Sequence, residues 1–245
     1  MTLPAPPPLY ESEAVRAVTG PALRPGGLEL TREALSLSPL PPGAAVLDVG
    51  CGLGATVEFL RQEHGLRAVG LDPSAPLLRQ ARECHPQAVL LRGRAERLPF
   101  PDQGLAGLFC ECVLSLTRDQ GQVLREFHRV LGRGGKLFLT DLYLRRPEAA
   151  GPGLDLPAAC CLQGARSRES VEGCVRQAGF EVLLFEDHSR LLKQLAARLV
   201  FAHGSLKNFW SFFTPAACGQ DFTRDAALAR PGYFLLLAEK GEKHE

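Results

Sequence analysis

Apolar residues come along this chain in strand-length runs, separated by segments with helical spacing. "AVLDV" (45–49) is the first run, and "ATVEFLRQEHG" continues from it as a helix stopped at Gly65. "RAVGLDPS" is a second strand ending at Asp72, followed by a helix that starts at a Ser74 cap, with Pro86 just past its end. "AVLLRG" and "GLAGLFCECVLSL" supply the third and fourth strands. In "TRDQGQVLREFHRVL", Val123, Phe127, Val130 and Leu131 share the core-facing side of a helix. "GGKLFLTDLY" is the fifth strand, "SRESVEGCVRQAG" a helix ending at Gly179, "FEVLLFED" the sixth strand and "GYFLLLAEK" the seventh. Strands alternating with helices predict an α/β fold, a Rossmann-like, mostly parallel seven-stranded sheet with helices on both faces.

The remaining segments lack this order. Residues 1–30 are rich in Pro and Gly with little periodicity, and "LTREALSL" (30–37) reads as a short helix. The expected layout is a single domain over 1–245, with an N-terminal arm (1–40) and a small cap from insertions at 145–167 and 188–231. Within the second insertion, "LLKQLAARLVF" reads as an amphipathic helix packed on the domain, so the chain is expected to be a monomer or a homodimer.

Composition narrows the function classes. The chain has 245 residues, 45% hydrophobic, enough for a sizeable core. A net charge of +1 from 28 basic and 27 acidic residues gives no support for nucleic-acid binding. No apolar run reaches the ~18 residues of a membrane span, and the N-terminus does not read as a signal peptide. A cytoplasmic protein with reduced thiols is expected: the eight cysteines form no CxxC pair.

The loop after the first strand, "GCGLGA", places Gly50, Cys51, Gly52 and Gly54 where backbone can approach a ligand closely. The pattern alone also fits NAD. Asp48 shifts the balance. A carboxylate two residues before Gly50 repels a pyrophosphate but attracts the ammonium and sulfonium groups of S-adenosylmethionine. Asp72, followed by Pro73, suits a grip on ribose hydroxyls and does not discriminate between the two cofactors.

The stretches "VLDVGCGLG", "VGLDPS", "GRAERLPFPDQ", "FHRVLGRGGKLFLTD" and "GYFLLLAEK", in this order, resemble class I S-adenosylmethionine-dependent methyltransferases. The resemblance covers about residues 40–145 and returns at 180–240. It implies that Asp48 and the glycines form the methionine-side loop and that Asp72 holds the ribose of S-adenosyl-L-methionine. One feature departs from the family. Arg94 stands where an acid usually meets the adenine amino group, and a guanidinium has no acceptor for it. Ala95 backbone and Glu96 are the alternative ring contacts.

"ECVLSLTRDQGQVLREFHRVLGRGGKLFLTDLY" and "CLQGA" (161–165) resemble arsenite methyltransferases more closely. This implies that Cys112 and Cys161 hold a trivalent metalloid, a soft ligand for soft thiolates, with Cys160 or Cys218 as a further thiol. Three features depart from that branch: no cysteine lies in residues 1–50, Glu111 replaces an Asn, and a cysteine-rich tail is missing. While the fourth strand is extended, Cys110 and Cys112 point one way and Glu111 the other. No metal ion is expected as a resident cofactor. Glu111, Asp141 and His188 are candidate bases for other acceptors, Asp141 being the better placed, and Glu111 also falls beside the cofactor. Phe209, Trp210, Phe212 and Phe213 either wall off the crevice or form a satellite core. Three further readings stay open: another small-molecule methyltransferase, a catalytically silent cofactor-binding protein and an NAD-dependent oxidoreductase.

Overall fold

The computed structural model describes residues 9–150, 160–213 and 230–241. The strands are β1 (Ala45–Val49), β2 (Arg67–Asp72), β3 (Val89–Arg92), β4 (Leu105–Glu111), β5 (Leu131–Leu144), β6 (Phe180–Asp187) and β7 (Pro231–Lys240). They form one seven-stranded sheet in the order β3-β2-β1-β4-β5-β7-β6. The pairs β1–β2, β1–β4, β2–β3 and β4–β5 are parallel, while β7 is inserted antiparallel between β5 and β6.

The helices are α1 (Glu13–Thr19), α2 (Glu29–Leu37), α3 (Ala55–Gln62), α4 (Ala75–Cys84), α5 (Gln120–Val130), α6 (Arg168–Gln177), α7 (Ser189–His203) and α8 (Leu206–Ser211). Helices cover both faces of the sheet, so its central strands are apolar on both sides, as parallel strands under two helical layers must be. Leu47, Leu108, Leu139 and Phe234 belong to one core with Val123, Phe127 and Val130 of α5. Val46, Phe109, Phe138 and Tyr233 belong to the other, with Leu60 and Leu78. Phe109 and Phe138 stack at 4.4 Å between centroids, tying β4 to β5. Among the described residues no helix is long and apolar enough to cross a membrane.

The predicted strands and helices match this architecture, with three corrections. The arm, read as having little periodicity, carries a helix before residue 30: α1 is capped by Ser12, whose hydroxyl accepts from the Ala14 N–H. Leu131 does not extend the face of α5. It opens β5, which runs back through the glycines expected to separate helix from strand. Gly134, at φ +67°, lies where the register against β4 jumps between Leu105 and Gly107, so the glycines make an irregularity inside the strand rather than a loop before it. Residues Leu9, Val15, Leu144, Cys160, Leu162, Phe209 and Phe213 form a third, separate cluster, so Phe209 and Phe213 take the satellite-core alternative.

From β1 the chain moves outward to β2 and β3, then returns to β4 on the other side of β1. The crevice beyond the carboxyl ends of β1, β2 and β4 is therefore the switch point where such sheets bind ligands.

Phe127 is fully buried, so Phe127→Ala should lower the unfolding free energy by ~3–5 kcal/mol in urea titration. Phe201→Ser, at a residue 95% exposed, should change it by less than about 0.5 kcal/mol.

Candidate active site

The crevice holds a cavity of about 270 Å³. Its floor is the β1–α3 turn. Gly50 sits at φ +76°, and a Cβ there would lie 2.2 Å from Val113 Cγ2, so this position needs glycine on two counts. The Gly50 N–H donates to Leu71 O at 2.7 Å, locking the turn onto β2. Asp72 closes β2 and accepts from the Gly52 and Ser74 N–H groups, each at 2.8 Å, one on each carboxylate oxygen. Each oxygen keeps lone-pair capacity for a ligand on the cavity side. Burial raises the Asp72 pKa against the pull of these two bonds.

The second wall comes from the end of β4 and from the arm. Glu111 is buried and pairs with Arg24 at 2.8 Å. Its other contacts are the hydroxyls of Thr31, at 2.8 Å, and Thr56, at 3.0 Å. Arg24 also donates to Thr31 Oγ1 at 2.7 Å, while its Nε is buried with no partner. Asp48 is buried beside them, and desolvation together with the Glu111 charge pushes its carboxyl well above the usual range. Five carboxylates (Glu11, Asp48, Asp72, Glu96, Glu111) and two guanidiniums (Arg24, Arg94) line the cavity. Both guanidiniums are ion-paired within it, Arg94 with Glu96 at 3.5 Å. With Glu111 and Glu96 cancelled against the two guanidiniums, Glu11, Asp48 and Asp72 remain outside the ion pairs, so the cavity leans acidic and has no unpaired guanidinium to offer a pyrophosphate.

Cys112 follows Glu111 with φ +57°, a left-handed backbone for a non-glycine residue. This turn breaks the predicted alternation. Glu111 and Cys112 both line the cavity, while Cys110 enters the opposite core. Behind Cys112 lie Cys161 and Asp141, and the three ligand atoms are within 4.8 Å of one another, all buried. Cys161 Sγ donates to Cys112 O at 3.1 Å and lies 2.9 Å from Tyr10 Oη. Cys112 Sγ donates to Tyr233 Oη at 3.6 Å. Asp141 accepts from Ser115 N–H (2.9 Å), Ser115 Oγ (2.6 Å) and Leu142 N–H (2.8 Å). Burial outweighs these bonds and pushes Asp141 up to about 6. The Cys161 thiol is raised by the neighbouring Cys112 sulfur and by burial, and burial pushes Cys160 up to about 12.

Of the sequence-predicted residues, Asp48, Gly50, Cys51, Gly52, Asp72, Pro73, Ala95, Glu96, Glu111 and Cys112 line the cavity. Gly54 does not. At φ +79° it serves the entry to α3, and a Cβ there would meet His85 and Ala81. Cys161 and Asp141 stand one layer behind the wall rather than on it. His188 lies elsewhere, facing Glu33 and Glu186. Cys218 is outside the described residues. Sequence reasoning missed Arg24, Thr31 and Tyr10 of the arm, Thr56 of α3, and Tyr233.

Residues 47–139 match the family model described as "Methyltransferase domain". Phosphoethanolamine N-methyltransferase 3 of Arabidopsis thaliana is 27% identical over 77% of this chain and 39% of its own length. An arsenite methyltransferase of Halobacterium salinarum is also 27% identical, over 58% of this chain and 38% of its own. The chain therefore spans about two-fifths of these curated relatives, and identity favours neither substrate. Among solved structures, the [4+2]-cyclase SpnF superposes with a TM-score of 0.74 at 23% identity, covering 98% of both chains. Phosphoethanolamine N-methyltransferase 2 of Haemonchus contortus, in complex with S-adenosyl-L-methionine, gives 0.70 at 17% identity over 94% of this chain and 56% of its own. These likenesses establish the fold.

Two outcomes follow from the geometry. Arg24→Met strands a buried carboxylate and should lower stability by ~3–5 kcal/mol, with much of this restored in Arg24→Met/Glu111→Gln, read by chemical denaturation. Asp141 binds its proton more tightly folded than unfolded, so its contribution is present at low pH. It is lost as pH rises from the unfolded value, about 3.8, to about 6. The loss amounts to ~3 kcal/mol. Urea midpoints between pH 4 and 7 should therefore fall more steeply in wild type than in Asp141→Asn.

Proposed function

We propose that this chain is a class I S-adenosylmethionine-dependent methyltransferase, which transfers a methyl group from S-adenosylmethionine to a small-molecule acceptor. The observation that carries this reading is the acid-lined cavity at the switch point of the sheet, with five carboxylates against two internally paired guanidiniums. S-adenosylmethionine is cationic through its ammonium and sulfonium groups, whereas a dinucleotide brings two negative charges. Asp72 would hold the ribose hydroxyls, and Asp48 with the Gly50–Gly52 turn the methionine amine. Arg24 Nε, buried and without a hydrogen-bond partner, is a donor for the methionine carboxylate. When bound, the cofactor supplies an electrophilic methyl group. The protein aligns an acceptor behind it and keeps water out.

The acceptor reading follows from Cys112. Cys112 lines the cavity, and its sulfur clusters with Cys161 and Asp141 just behind the wall. A thiophilic acceptor such as arsenite, bound in exchange for thiol protons, fits this donor set. Such an acceptor carries its own lone pair and needs no general base. A phosphorylated amine fits less well, because both cavity guanidiniums are already paired with carboxylates.

Calorimetry should show saturable S-adenosylhomocysteine binding that Asp72→Asn weakens at least tenfold. Absence of binding at millimolar ligand would reject the cofactor. Mass spectrometry of products from arsenite plus glutathione should show methylated arsenic from wild type and little from Cys112→Ala or Cys161→Ala. Full activity in both variants would reject the thiol site. Intact cofactor binding without methylated arsenic would assign the pocket to another acceptor.

A further inference from the structure

His188 caps the start of α7 at the corner where β6 ends. Its backbone is fixed at both ends: its N–H donates to Tyr233 O at 2.7 Å and its carbonyl accepts from Leu191 N–H at 2.8 Å. The side chain is 13% exposed, and its Nε2 is buried with no hydrogen-bond partner. Two carboxylates flank that nitrogen. Glu33 of α2 lies 3.9 Å away and Glu186 of β6 lies 3.8 Å away. Both distances exceed the ~3.2 Å limit of a good N–H···O bond, so neither carboxylate satisfies the ring. The three ligand atoms nevertheless lie within 4.8 Å of one another. The three residues come from three elements, and none of them lines the cofactor cavity.

We propose that Glu33, Glu186 and His188 form a binding site for a divalent cation of the zinc type, which fastens helix α2 to the β6–α7 corner. One imidazole nitrogen and two carboxylate oxygens are a donor set that Zn²⁺ accepts, with a fourth position open to water. Ligand distances of ~2.0–2.2 Å place tetrahedral donors about 3.4 Å apart. The observed 3.8 and 3.9 Å histidine–glutamate separations need a closure of about half an ångström, and the two carboxylate oxygens, within 4.8 Å of each other, must close to the same spacing. The half-exposed glutamates supply this by rotamer adjustment, while the histidine stays where its backbone holds it. Two residues before Glu33, Thr31 donates to Glu111 in the cavity wall. A cation at this site therefore steadies the same helix that completes the active site, without touching it.

The test must separate this site from Cys112 and Cys161, because thiols also take soft cations. The full chain is titrated with Co²⁺, because cobalt bound by nitrogen and oxygen shows weak visible bands and cobalt bound by thiolate adds an intense near-ultraviolet band. The expected result is a Co²⁺ component without the thiolate band. It should be lost in His188→Ala and at least tenfold weaker in Glu33→Gln and Glu186→Gln. Zn²⁺ should slow amide exchange in α2 of the wild type and leave it unchanged in His188→Ala. The two glutamate variants alter half-exposed side chains, so they remain informative even where His188→Ala loses its fold. Cobalt held only with a thiolate band, or equal affinity in wild type and both glutamate variants, overturns the proposal. Neither outcome depends on methyl transfer or on cofactor binding.

Discussion

Arg24 and Glu111 meet at 2.8 Å with both side chains almost wholly out of water. A buried pair of this kind adds little net stability, but losing one partner is expensive, so each charge confines the other. The pair spans the chain from the arm to the end of β4. Thr31 and Thr56 complete the shell of Glu111, drawing α2 and α3 to the same carboxylate. The arm is thereby made part of the cavity wall. A cavity on the bare sheet would have lacked Tyr10, Leu23 and Arg24 and would have stood open to solvent along that side.

The second constraint is the left-handed backbone at Cys112. A non-glycine residue in that region costs ~1 kcal/mol or more and persists only where its surroundings hold it. Here the Cys112 N–H donates to Thr140 O at 2.7 Å, and its carbonyl accepts from Cys161 Sγ. The turn places Glu111 and Cys112 side by side on one wall, an arrangement an extended strand cannot make. It also anchors the segment carrying Cys161. Gly164 lies nearby, where a Cβ would come within 1.9 Å of Ser115 O, so this segment packs backbone to backbone against the turn after β4.

The sheet was legible because its signal is local. Runs such as "AVLDV" and "GLFCE" declare buried strands, and Ser74 and Gly179 punctuate the helices between them. The glycine turn and Asp72 were legible for the same reason: their spacing along one strand–turn–helix unit fixes where they end up. The arm was not. Tyr10, Arg24 and Thr31 earn their places through contacts 151, 87 and 80 residues away, at Cys161 and Glu111, and nothing in a Pro- and Gly-rich segment marks those partners. The left-handed turn at Cys112 was hidden too, because a cysteine gives no sign of positive φ. The glycines of 132–135 misled in the other direction. They look like a loop but permit an irregularity within β5.

On the methyl-transfer reading, the charge of the cavity also bears on which acceptors react. The sulfonium's positive charge passes toward the acceptor as the methyl moves. An acidic wall is favourable to that charge throughout only where the acceptor begins neutral and ends cationic. An anionic acceptor is repelled on entry and cancels the charge that the wall stabilises. The thiols add a second filter. Cys161 is held protonated by its neighbours and by burial, so it offers thiolate only to a partner that displaces the proton as it binds. A neutral, thiophilic acceptor such as arsenous acid meets both conditions, since it exchanges hydroxyl for sulfur with release of water and keeps its lone pair. Acceptor choice in this pocket is then set as much by what the carboxyl groups outside the ion pairs exclude as by what two thiols attract.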